Sequence, residues 1–160
     1  MNTHKSGLLT TLLLACLCLL PAARAESPLV IDSAWIREAP PGSSVLAAYM
    51  TMTNHSESDQ QVTAIETPDF SSAEIHRTVV EDGVARMLPV SDLVVAAGDS
   101  VSLEPGGLHV MLFDPQRPLR EGDTATLTVH TASGTAITVQ APVKRQTGDE
   151  GGQDHSHHHH

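Results

Sequence analysis

His109 and Met111 stand two positions apart in Leu108–Phe113, a run that otherwise reads as a buried β-strand. In a strand, side chains at i and i+2 share a face. His109 and Met111 therefore point one way, and Val110 and Leu112 the other. A second pair arises in AEIHRTVVEDGVARMLPV, Ala73 to Val90, which reads as a hairpin turning at Asp82-Gly83, a favoured turn pair. His76 lies on the outgoing arm and Met87 on the returning one. Their separation is eleven, an odd number. Any even-length loop then sets both on one hairpin face, opposed across a four-residue loop or diagonal across a two-residue loop. A three-residue loop would need a bulge to keep that parity.

Two imidazole nitrogens and two thioether sulfurs form a soft, neutral donor set suited to Cu(I). Zn²⁺ prefers thiolate, imidazole and carboxylate, and hard cations want oxygen. Thioethers carry no proton at physiological pH and need no reduced thiol, which suits an oxidising compartment. Residue type alone leaves a second reading open: strand methionines fill cores and single histidines sit on surfaces.

The elements that must position these residues are short strands. They are read near Leu29–Arg37, Leu46–Asn54, Gln61–Glu66, Ala73–Val80, Val84–Pro89, Ser100–Leu103, Leu108–Phe113, Thr124–Thr131 and Ala136–Val143. Gly, Pro, Asp and Ser clusters separate them, and no window after the N-terminal segment sustains helical periodicity over three turns. Such spacing predicts an all-β, antiparallel sandwich or barrel with a Val/Leu/Ile/Ala core.

The flanks read differently. Lys5, the apolar run Gly7–Pro21 and Ala23-Arg24-Ala25 form a secretory signal over residues 1–25, cleaved near Ala25. A lipid-attachment site at Cys16 is the alternative. Both cysteines, Cys16 and Cys18, fall inside this segment, so the folded domain, 26–145, has no disulfide, thiolate site or cysteine nucleophile. Removing the signal leaves 7 basic against 19 acidic residues, a formal charge of −12, which disfavours nucleic acid as a partner. Residues 146–160 read as a disordered acidic tail, where His155, His157, His158, His159 and His160 offer an auxiliary site for Cu(II), Ni²⁺ or Zn²⁺. Met50 and Met52 read as core beneath a polar face that includes Tyr49. His55 and His130 read as solvated. Asn54-His55-Ser56 matches a glycosylation sequon.

His76, Met87, His109 and Met111 together match H-x10-M-x21-H-x-M. With their flanks, and with AWIREAPPGSSVLAAYMTMTN (Ala34–Asn54) and LEPGGLHVMLFD (Leu103–Asp114), they resemble the periplasmic copper-A chaperone family (PCuAC) from about Leu29 to Val143. Arg77 stands where many members carry a further Met. The resemblance implies a cupredoxin-like Greek-key β-sandwich, with His76, Met87, His109 and Met111 as Cu(I) ligands. It also implies a periplasmic chaperone, not an enzyme. Copper would pass to the copper-A centre of cytochrome c oxidase or to a thiol-bearing assembly factor. A monomer is expected. A blue-copper carrier is excluded for want of a cysteine; a copper buffer or a tail-driven Zn/Ni-binding protein remains the alternative.

Overall fold

A computed structural model describes residues 27–145. The expected signal segment, both cysteines and the tail histidines lie outside the described residues. The strands are β1 (Leu29–Arg37), β2 (Val45–Asn54), β3 (Gln60–Glu66), β4 (Phe70–Glu81), β5 (Val84–Pro89), β6 (Leu93–Val95), β7 (Ser100–Leu103), β8 (Leu108–Pro115), β9 (Thr124–Thr131) and β10 (Ala136–Lys144). No helix occurs among the described residues. The expected strands all form. β6 is the addition: at three residues it is too short to show a period, yet Leu93 and Val95 are buried.

One sheet runs β5-β4-β8-β2-β1, with β7 also on β2; the other runs β10-β9-β3-β6. All pairings are antiparallel except a short parallel seam of β1 with β10, at Ile36↔Val143 and Arg37↔Lys144. The sandwich is thus antiparallel as expected, save for this seam. A bulge in β1, where Ser33 adopts φ 54°, shifts its register against β2. Such bends are how one strand serves two sheets.

The core lies between the sheets. Val110 and Leu112 of β8, Met52 of β2, and Leu127 and Val129 of β9 are fully buried. Each such side chain contributes about 1.5–3 kcal/mol of hydrophobic stabilisation. Met50 and Met52 fill the core as expected. Tyr49 is also buried, contrary to the polar-face reading, because the outer sheet face is itself covered there. Its ring packs on Trp35 at 4.7 Å, with the Arg37 guanidinium 5.4 Å from its centre.

Two surface readings change. Asn54 is fully buried. Its amide donates to the carbonyls of Ser58, Val95 and Ala96, and its oxygen accepts from the Ser56 N–H and hydroxyl. The sequon is therefore a structural pin between β2 and β6, closed to a glycan. His130 is half-buried and sits 3.2 Å from Glu66, while His55 is exposed as expected.

Candidate metal centre

The β4–β5 hairpin closes at Glu81↔Val84 through Asp82 (φ 52°) and Gly83 (φ 77°). Two positive φ values in a two-residue loop match the right-handed twist of the strands, and Asp-Gly supplies them at low cost. The register follows from that turn. Met87 lies opposite Thr78 and His76 opposite Pro89, the diagonal arrangement expected of a two-residue loop. On its other side β4 pairs with β8, setting His76 across from His109 and Glu74 across from Met111. Strand alternation then brings His76, Met87, His109 and Met111 to one face of one sheet, opposite the core-facing Val110 and Leu112.

The two imidazole rings lie 6.3 Å apart between centroids, tilted by 37°. Each has one nitrogen engaged. His76 Nε2 donates to Glu74 Oε2 at 2.9 Å, and His109 Nδ1 donates to the Gly107 carbonyl at 3.1 Å. A carboxylate and a carbonyl only accept, so these nitrogens must carry the protons. In the neutral rings, His76 Nδ1 and His109 Nε2 are therefore bare lone pairs. Both atoms are buried and have no hydrogen-bond partner. Buried polar atoms rarely stay unpaired without a reason.

Met87, His109 and Met111 line an open cavity of about 230 Å³ with Arg37, Ala47 and the Glu38–Pro40 segment. Ala47 stands opposite Met111 on β2, and its single methyl leaves room above the sheet. Exposure rises across the site: His109 is 5% exposed and Met87 57%. Among the described residues, no three His, Cys, Asp or Glu side chains converge as a metal site.

Glu74 was not singled out from sequence. It lies two positions before His76 in the same strand, so strand parity alone could have placed it beside that ring. The Gly107 carbonyl carried no such signal, since it comes from a turn.

The domain is a small β-sandwich that sets two His–Met pairs on one outer sheet face and leaves two imidazole nitrogens without partners there. The LpqE-like family model matches residues 29–143, and the chain belongs to this PCuAC-related family. Lxx21020 of Leifsonia xyli subsp. xyli, which bears a lipoprotein name, is 30% identical over 119 residues, 74% of this chain and 70% of that protein. RP573 of Rickettsia prowazekii is 32% identical over 83 residues, 51% of this chain and 46% of its own. Among solved structures, the Cu(I) form of DR1885 from Deinococcus radiodurans is 32% identical, covering 79% of this chain and 85% of that one at TM-score 0.61. The copper-bound PCuAC domain of PmoF2, 21% identical, shares the fold at TM-score 0.64 over 74% of this chain and 94% of that one.

Proposed function

We propose that this protein is an exported copper chaperone that binds Cu(I) through His76 Nδ1, His109 Nε2 and the sulfurs of Met87 and Met111, without catalytic turnover. The observation that carries it is the pair of buried, partnerless imidazole lone pairs on the face that also holds both thioethers. The likeness to a Cu(I)-bound protein at 32% identity supports the same metal here. A neutral two-nitrogen, two-sulfur set matches the softness of Cu(I) and carries no proton to expel on binding. Met87 is the most exposed donor, so an incoming thiolate displaces it first and the buried His109 last. The receivers that suit this exchange are the copper-A centre of cytochrome c oxidase or a thiol-bearing assembly factor in the periplasm.

The lipoprotein names within the family support export. Intact mass of the mature protein separates cleavage after Ala25 from lipidation at Cys16. The tail histidines, His155 and His157 to His160, are proposed as an accessory Cu(II) site; truncation at Gly148 should abolish Cu(II) binding and spare Cu(I).

Anaerobic competition against a chromophoric Cu(I) chelator tests the central reading. Met87→Ala and Met111→Ala should each weaken Cu(I) binding at least tenfold, with the fold intact by circular dichroism. Unchanged affinity in both variants overturns the assignment. Mixing the loaded protein with an apo copper-A domain then separates delivery, seen as metal transfer, from storage.

A further inference from the structure

The hairpin that carries Met87 ends the sheet. Among the described residues, β5 pairs with β4 on one side and with no strand on the other. The phase of its backbone groups follows from two hydrogen bonds: Val90 N–H donates to the Ile75 carbonyl at 2.8 Å, and Thr78 N–H donates across to Gly107 at 3.1 Å. In an antiparallel ladder, hydrogen-bonded and non-bonded pairs alternate. Val84, Arg86 and Leu88 therefore turn their N–H and C=O groups toward β4. The outward groups are those of Ala85 and of Met87 itself.

That edge is thinly defended, by the single charge of Arg86 and the terminal Pro89. Natural sheets blunt long edges with lysines, bulges, prolines or very short strands. The free edge of the other sheet, β6, is three residues long. All six residues of β5 are exposed, with Val84, Met87 and Leu88 about half uncovered, no lysine, no bulge, and a proline only at its end.

We propose that the free edge of β5 docks an extended, antiparallel strand of a partner protein that sets a sulfur ligand, thiolate or thioether, opposite Met87 and a carboxylate opposite Arg86. This rests on the reading of Met87 as a copper donor. A residue hydrogen-bonded opposite Met87 points its side chain to the same face, with its Cα about 5.5 Å away. Its sulfur then arrives where a Met87-held ion lies. The next residue of that strand faces the other side, where Arg77 and Arg86 are diagonal neighbours. Arg86 has only a loose contact with Glu81, 3.8 Å, and both side chains are more than 60% exposed. A carboxylate there completes the charge.

A second copy fits the edge poorly. Pairing centred on Met87 sets each Pro89, which has no N–H, against Ala85, and pairing centred on Arg86 sets two arginines face to face. The chain's formal charge of −10 also repels its own copy.

The probe is acetyl-Thr-Val-Thr-Met-Asp-Val-Thr-amide, added to the apo and the Cu(I)-loaded protein and read by amide hydrogen exchange. Protection of the Ala85 and Met87 amides should rise at least fivefold. Val84, Arg86 and Leu88 should not change. Ala85→Pro removes one outward N–H and leaves the β4 ladder whole. It should keep Cu(I) affinity within twofold and lose most of the peptide-induced protection. No gain of protection at Ala85 and Met87, or equal gain in Ala85→Pro, overturns the proposal. So does protection that grows with protein concentration and without peptide, which would assign the edge to a second copy. The Cu(I) affinity of Met87→Ala is measured in parallel: an unchanged value sinks the ligand reading, whereas the exchange pattern of the apo protein reports docking independently.

Discussion

At the scale of single residues, the site depends on which nitrogen of each ring is left bare. Glu74 and the Gly107 carbonyl make that choice, one for His76 and the other for His109. Partners of this kind orient a ligating ring, and removing them commonly costs 10–100-fold in metal affinity. Glu74→Ala should accordingly weaken Cu(I) binding about tenfold while leaving the fold intact, since the Glu74 side chain is 55% exposed. Nitrogen-15 spectra of the apo protein should show His76 as its Nε2–H tautomer in the wild type and a tautomer mixture in Glu74→Ala. Unaltered tautomers and affinity would remove Glu74 from the account.

At the scale of elements, the hairpin turn sets where Met87 stands. Gly83 adopts φ 77° with open space around an added Cβ, so Gly83→Ala meets only a backbone penalty of about 1–2 kcal/mol. Because β5 is exposed throughout, that cost should fall on local opening of the hairpin. Faster exchange of the Arg86 and Leu88 amides should accompany weaker Cu(I) binding, with the core amides of β9 unaffected. A different element contact responds to pH. A hydrogen bond from Arg145 holds the Glu38 carboxyl below its usual range, with the Glu121 N–H adding to the effect. A lowered folded-state pKa means that this stabilisation is present at neutral pH and is lost as pH falls through the folded value. Glu38→Gln should lower the Tm slightly at pH 7 and not in strong acid, the effect staying small because the pair is solvated.

At the scale of the whole molecule, one strand serves two environments. β8 turns Val110 and Leu112 into the core and His109 and Met111 onto the opposite face. Leu112 is fully buried, so Leu112→Ala should cost about 2–5 kcal/mol, read as a lower urea midpoint. Below its unfolding transition the variant should still bind Cu(I), because the lost methyls lie behind the sheet. A fold held by a wide core can leave a soft, half-open site on its surface without depending on the metal for stability.

The amino-acid sequence by itself determined the strand pattern, the hairpin and the parity of both His–Met pairs. Those are local matters: a period of two and any even-length loop at Asp-Gly leave each side chain one face to occupy, whereas the two-residue length that sets Met87 diagonal to His76 came from the structure. The sequence did not reveal β6, whose three residues show no period. Nor did it reveal that Tyr49 is covered, that Asn54 is a buried pin rather than a glycan site, or that His130 sits against Glu66. Tertiary structure alone decided that β4 and β8 are neighbours in a register that opposes His76 to His109. Thirty-two residues of intervening chain separate that pair, and no spacing rule reaches across them. Burial and free lone pairs arise only when strands distant in sequence close over the same space.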